Sequence, residues 1–206
     1  WSDVTSASNS FRWHDQGFIP NVIAPVVFED KVDLRIILLA SNNSFFNHVI
    51  KALNPTLHFH VGYFSKLPYP KKLESCDLGI ADELIAIART DWNSYEKSWN
   101  FSTLPWIGTQ IREKDIELAW TSWSAWKETQ FARSIELETK NNEFFIDAYD
   151  LGKEIDAAVA RRDITLADAD REKDCQSLIS YAIGCMMGRY NLDEPGLIYA
   201  HAGNIG

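Results

Sequence analysis

The sequence predicts an α+β chain, with a small mixed α/β part over residues 1–72 followed by a mainly α-helical bundle over 73–206. Three observations carry this reading. Short Val-, Ile- and Leu-rich runs of strand length, one of them alternating, lie in the front part. Beyond about residue 77, apolar residues recur at three- and four-residue steps, the period of a helix packed along one face. Between the two patterns lies Lys66-Leu67-Pro68-Tyr69-Pro70-Lys71-Lys72, an extended, basic, proline-stiffened segment that serves as the boundary.

In the front part, residues 21–28 and 33–40 read as strands, each rich in branched apolar residues and bounded by polar punctuation. Ile36-Ile37-Leu38-Leu39 does not alternate, which suits a strand covered on both faces. Ser41-Asn42-Asn43-Ser44 then supplies helix N-cap residue types. Phe46, Val49, Ile50 and Leu53 follow at i, i+3, i+4 and i+7, a short helix that Pro55 stops. Leu57-His58-Phe59-His60-Val61 alternates, placing Leu57, Phe59 and Val61 on one face of a strand and both imidazoles on the other. Gly62 ends it.

The back part opens with Ile80, Leu84, Ile87 and Ala88 on one helical stripe. A second stripe starts near Thr109 and carries Ile116, Ala119, Trp120, Trp123, Trp126 and Phe131. Unbroken to Lys140, it would measure about 48 Å at the helical rise. Phe144, Phe145, Ala148 and Tyr149 form a third, ended near Gly152. Thr165-Leu166-Ala167-Asp168 has capping-box form with Asp in place of Glu, and Cys175, Leu178, Ile179, Ala182, Ile183 and Met186 follow at helical spacing. Gly188 and Arg189 supply a stop and a dipole-compensating cation.

Composition narrows the class. The 206 residues are 46% hydrophobic and 24% charged, an ordinary globular balance that excludes collagen-like, mucin-like and wholly disordered chains. The apolar runs are too short to span a bilayer, so no membrane partner is expected. Cys76, Cys175 and Cys185 lack paired spacing, which argues against a disulfide framework and fits a reducing, cytoplasmic setting. On one helical face Cys175 and Cys185 would lie about 15 Å apart and read as core thiols. The chain opens on Trp1 rather than Met and reads as a piece of something longer. Its formal charge of -9 is uneven: residues 1–75 carry seven Lys/Arg against six Asp/Glu, and residues 76–206 carry 13 against 23. Any nucleic-acid contact is therefore expected at the front.

No catalytic centre is recognisable. The glycines form neither GxGxxG nor a phosphate loop, and GxSxG, HExxH and CxxC are absent. No catalytic or cofactor-binding residue is assigned. His58 and His60 stand at a metal-ligand spacing, but a third ligand would have to come from elsewhere, His48 or Asp33 for example, and no metal is assigned. A polar strand face, or one that meets nucleic acid, is the expectation there. Trp120, Trp123 and Trp126 resemble a stacking platform, yet Glu113, Asp115, Glu117 and Glu128 beside them would repel phosphate, so core packing is expected. Gly184 and Gly188 have GxxxG spacing, which outside a membrane implies close helix approach. Asp163, Asp168, Asp170 and Asp174 flank or occupy a helix N-terminus, where carboxylates are favoured without a metal. Phosphate-capable cations in the front part are Arg12, Lys31, Arg35, Lys51, Lys66, Lys71 and Lys72. The expected DNA-facing set is Arg12, Trp13, His58, His60, Lys66, Lys71 and Lys72.

Residues 178–197, with Gly184-Cys185-Met186-Met187-Gly188-Arg189-Tyr190-Asn191-Leu192-Asp193-Glu194-Pro195-Gly196-Leu197 at their end, resemble the C-terminal signature of the PglX family, adenine-specific DNA methyltransferases of BREX phage-defence systems. Asp91-Trp92-Asn93-Ser94-Tyr95-Glu96, Ser98-Trp99-Asn100-Phe101 and Asn142-Glu143-Phe144-Phe145-Ile146-Asp147-Ala148-Tyr149 agree with it. Asn54-Pro55-Thr56-Leu57-His58-Phe59-His60-Val61-Gly62-Tyr63-Phe64, and residues 1–18, resemble the family's target-recognition region. The resemblance implies a non-catalytic part of a site-specific adenine methyltransferase, downstream of its catalytic core. The parent would use S-adenosylmethionine; this chain, lacking the glycine-rich loop and the Asn-Pro-Pro-Tyr-type motif, would bind none. Implied partners are double-stranded DNA at the front, the parent's methyltransferase domain, and other proteins of the BREX system. The alternative expectation is a protein-interaction module that docks defence components without touching DNA. A third is a freestanding metalloprotein using His58 and His60.

Overall fold

The computed structural model describes residues 1–4, 9–29, 31–54, 56–107, 115–152 and 154–198. Six α-helices order these residues: α1 Leu34–Ser41, α2 Ser44–Leu53, α3 Val61–Phe64, α4 Leu78–Asn93, α5 Ile116–Ala148 and α6 Arg171–Met186. Two 3-10 segments, Lys71–Ser75 and Arg161–Asp163, lie between them. β pairing among the described residues is confined to isolated bridges, Val4 with His58 and Asn21 with Ala24. The expected α+β class is thus corrected: the front part is helical too, and holds no sheet among its described residues.

The apolar run at 33–40 shows why. Asp33 caps α1, its carboxylate accepting from the Arg35 backbone N–H at 2.8 Å. Ile36 and Leu39, one helical turn apart, enter a core with Leu73, Cys76, Ala81 and Phe145. Leu38 packs instead on a second core of Phe11, Phe46, Ile50 and Phe59. A helix buried on two sides is apolar most of the way round, so its sequence loses the stripe that marks a helix. Residues 21–28 fail as a strand for another reason. Asn21 opens a tight turn closed by the Ala24 N–H at 2.9 Å, Pro20 and Pro25 flank it, and Val22, Ile23 and Phe28 are exposed. At 57–61 only Phe59 is buried, and Val61 already begins α3.

By contacts the chain forms two compact units, Trp1–Ile85 with Ile135–Arg161, and Ala86–Ser134 with Arg162–Gly206. Helices α4 and α5 contribute residues to both. These are groupings by packing; the boundary at residue 72 is one of composition and charge.

Within the first unit, buried asparagines do the joining. Asn43 caps α2 by accepting from Phe46 N–H at 2.7 Å, and its amide donates back to the Ala40 carbonyl at 2.7 Å. Asn141 of α5 donates to the Leu39 carbonyl at 3.0 Å, and Asn142 accepts from Ser44 N–H at 2.9 Å. Each satisfies a backbone group at the α1–α2 junction, and the Leu39 carbonyl also accepts from the Asn43 amide at 3.3 Å. The proline-rich segment is tied down as well. The Pro68 carbonyl accepts from the Tyr149 hydroxyl at 2.6 Å, and Lys72 pairs with Asp147 at 2.7 Å.

Helix α5 runs 33 residues and absorbs both the second and the third expected stripes. The expected start near Thr109, and Glu113, lie outside the described residues, as does Pro55 after α2. Asp115 caps α5, accepting from Glu117 N–H at 2.7 Å. The helix ends at Ala148, and Asp150, not Gly152, takes the left-handed conformation after it, at φ 58°. Leu151 N–H reaches the Ile146 carbonyl at 3.0 Å and Asp150 N–H the Asp147 carbonyl at 3.1 Å, a Schellman closure. Glycine occupies that conformation without penalty, so Asp150→Gly raises stability by up to about 1 kcal/mol. The midpoint of urea unfolding followed by circular dichroism checks it.

The second unit is built on aromatic residues. Phe101, Leu104, Trp106, Ala119, Trp123, Tyr181 and Tyr190 form its core. Trp123 is buried and Trp126 stacks on it at 4.9 Å, the packing role expected of the tryptophans. Trp120 donates to Asp174 at 2.9 Å. Asp170 is the N-cap of α6, with N–H donors from Glu172 and Lys173, so the cap lies five residues past the expected Thr165. Gly188 at φ 75° and the Arg189 N–H to Gly184 carbonyl bond at 2.8 Å close it. Two expectations are corrected on this helix. Cys175 is exposed, not a core thiol. Gly184 admits the ring of Tyr190, not a neighbouring helix. No described helix is long and apolar enough to cross a membrane.

Candidate functional site

The candidate site lies where the first four residues meet the segment before α3. Trp1 Nε1 donates to the Phe59 carbonyl at 2.8 Å, Phe59 N–H to the Asp3 carbonyl at 2.6 Å, and Asp3 N–H to the Ile23 carbonyl at 3.0 Å. Asn54, buried, donates to the His58 carbonyl at 2.5 Å and accepts from Thr56 N–H at 3.2 Å. The side chain of Asn54 therefore links Thr56 to the His58 backbone. Beneath it, Trp1, Phe11, Phe46, Phe59 and Phe64 pack ring on ring, with Trp1 stacked on Phe64 at 5.5 Å and Phe11 edge-on to Phe46 at 5.4 Å.

These anchors bring three side chains together. His58 Nδ1 lies 2.9 Å from Asp3 Oδ2, and His60 Nδ1 lies 3.0 Å from Asp3 Oδ1. The imidazoles are nearly parallel, 5.5 Å between centroids. The Asp3 side chain is 8% exposed, whereas those of His58 and His60 are 56% and 66% exposed. The first contact is a hydrogen bond. The second is not: Asp3 Oδ1 is buried without a hydrogen-bond partner, although His60 Nδ1 stands beside it. Among the described residues this is the one group of three His, Cys, Asp or Glu side chains whose ligand atoms lie within 4.8 Å of one another. The two imidazoles are together, as the alternation at 57–61 suggested, but the strand expected to hold them does not form. Asp3, 55 residues from His58, went unseen because no local spacing connects them.

The remaining residues of the expected DNA-facing set divide by core. Arg12 and Trp13, both exposed, follow Phe11 directly. Phe11 is held by Asn42, which accepts its N–H at 2.9 Å and donates to its carbonyl at 3.0 Å, so the start of the Arg12-Trp13 pair is anchored. Lys66 is exposed beside Leu67 of the same core, its ammonium 5.8 Å from the Tyr63 ring centroid. Lys71 and Lys72 belong elsewhere, on the 3-10 segment whose Leu73 is buried in the other core. Lys72 already pairs with Asp147. His48 and Asp33 do not join the histidine cluster; Asp33 pairs with Arg35, which holds its carboxyl below the usual range.

No protein-family model matches the chain. It is 32% identical to the adenine-specific methyltransferase PglX of Lacticaseibacillus casei (strain Zhang), over 97% of this chain and 17% of that protein. It is 29% identical to the adenine-specific methyltransferase BrxX of Escherichia coli O9:H4 (strain HS), over 100% of this chain and 18% of that protein. The chain thus spans less than a fifth of the length of the curated relatives it matches. Along its whole length this chain is a homologue of part of the PglX and BrxX adenine-specific methyltransferases.

Proposed function

We propose that this chain is a non-catalytic part of an adenine-specific DNA methyltransferase of a BREX-type defence system, acting in the cytoplasm. In this reading residues 1–72 end the target-recognition region and contact double-stranded DNA, and residues 73–206 form an acidic helical domain. The observation that carries it is the full-length match to PglX and BrxX, joined to the charge split that leaves only the front part free of excess acid. The parent uses S-adenosylmethionine; this chain contributes phosphate contacts from Arg12, Lys66, Lys71 and Lys72, and a stacking or groove contact from Trp13. His58 and His60, both exposed, flank Phe59 of the aromatic core and add to that proposed surface. Reading a site and doing chemistry on a flipped base need different surfaces, which fits a part without catalytic residues.

The test is Lys66→Glu with Lys71→Glu in the longer methyltransferase that carries this chain. Lys72 is left alone, because its partner Asp147 would confound the result. DNA affinity falls at least about tenfold, and the slope of log K against log salt shrinks by about two. Unchanged affinity and slope would remove these lysines from the DNA surface. That outcome favours the second reading, docking of the parent's methyltransferase domain or other defence proteins. The observation behind it is the acidic back part, with Ile179, Ile183 and Met186 of α6 and Met187 just after it exposed.

A further inference from the structure

We propose that Asp3, His58 and His60 bind one divalent transition-metal ion of the zinc class. Two imidazole nitrogens and a carboxylate oxygen form a donor set that suits zinc, cobalt(II) or nickel and not magnesium or calcium, which take oxygen ligands. The spacing fits. Around a tetrahedral ion with bonds of about 2.0–2.1 Å, ligand atoms stand about 3.3 Å apart. His58 Nδ1 and His60 Nδ1 stand 2.9 and 3.0 Å from the two different Asp3 oxygens, and one ligand atom of each residue lies within 4.8 Å of the others, so closing on one ion takes only rotation of imidazoles that are more than half exposed.

Independent support comes from Asp3 Oδ1. It belongs to a side chain more than nine-tenths buried, points at the cluster and has no hydrogen-bond partner. A buried carboxylate oxygen in that condition is costly, and an ion shared with His60 Nδ1 removes the cost. The contact that fails as a hydrogen bond is in the position of two ligands on either side of a cation. The frame is also fixed in advance. Asp3 is held through its backbone N–H and C=O, His58 through its carbonyl and the Val4 bridge, and His60 by its place at the start of α3. Both imidazoles open to solvent, which leaves an entry path and a fourth position for water.

The ion would tie the first residues of the chain to a turn 55 positions away. This inference does not depend on DNA contact, and its test contains no DNA. The untagged chain is stripped with a chelator and titrated with cobalt(II) by absorption and with zinc by calorimetry. One ion per chain binds in the micromolar range, with a visible d–d band, and zinc raises the melting temperature. Asp3→Asn, His58→Ala and His60→Ala each weaken binding at least about tenfold, and abolish the zinc-dependent rise in melting temperature. His60→Ala alters an exposed side chain, so its metal-free circular dichroism and melting curve stay those of the parent chain. His48→Ala leaves the titration unchanged. Absence of saturable binding, or binding that survives Asp3→Asn and His60→Ala, overturns the proposal and leaves a carboxylate paired with two imidazoles.

Discussion

Lys127→Met lowers the stability of this chain by about 3–5 kcal/mol, measured as the shift in urea unfolding followed by tryptophan fluorescence. Lys127 lies in the middle of α5 with its side chain 2% exposed, and its ammonium forms an ion pair with Asp91, itself 16% exposed. The ammonium also sits 5.3 Å from the Trp123 ring centroid and 5.6 Å from that of Tyr95. Methionine fills much of the same volume, so the loss is electrostatic: Asp91 is left mostly buried without its counter-ion. The same environment pushes the Tyr95 hydroxyl well above the ordinary phenol range, by burial first and by Asp91 next. Adding Asp91→Leu to Lys127→Met restores part of the stability, because an apolar pair carries no stranded charge. Recovery stays incomplete, since Asp91 Oδ2 also accepts the Ala167 backbone N–H at 3.2 Å. A double variant no better than Lys127→Met would show that packing, not charge, sets the cost.

Gly184→Ala costs about 1–3 kcal/mol, although alanine is the better helix former. A β-carbon at 184 would stand 2.6 Å from Tyr190 Cδ2 and 2.8 Å from Cε2, well inside contact distance. The ring has little room to retreat. Tyr181 stacks on it at 5.0 Å, Phe101 meets it edge-on at 5.5 Å, and its hydroxyl donates to Glu96 at 3.2 Å. Gly62 is the control, since a β-carbon there meets nothing within 4 Å. The thermal melt of Gly62→Ala should match the parent chain or exceed it, while that of Gly184→Ala falls. The turn after α6 depends on the same ring, because Arg189 N–H returns to the Gly184 carbonyl and positions Tyr190. Residues 184–190, inside the 178–197 stretch that resembles the PglX signature, thus have a packing role of their own.

Helices α2, α4 and much of α5 follow from apolar spacing and polar caps, and α6 starts later than its expected Thr165–Asp168 box, behind an Asp170 cap. The burial of Trp123 followed from the acidic residues near it, which excluded phosphate. Misread were the runs at 21–28 and 33–40, where β-branched composition stood in for a strand partner that the described structure does not supply. A strand is stable only through pairing with another segment, and composition does not report whether that segment exists.

The sequence by itself determined the helical back part, the near-neutral front against an acidic remainder, and the kinship with adenine-specific methyltransferases. Each is written locally, in periodicity, in charge counts or in contiguous motifs. Tertiary structure alone decided that residues 34–41 are a helix, because two cores cover it and erase its stripe. It alone buried Lys127 against a carboxylate 36 residues away and placed Asp3 between two histidines 55 and 57 positions on. Contacts over such separations leave no mark on local spacing. They arise when the cores close, and the chemistry of Asp3, His58 and His60 exists only from that point.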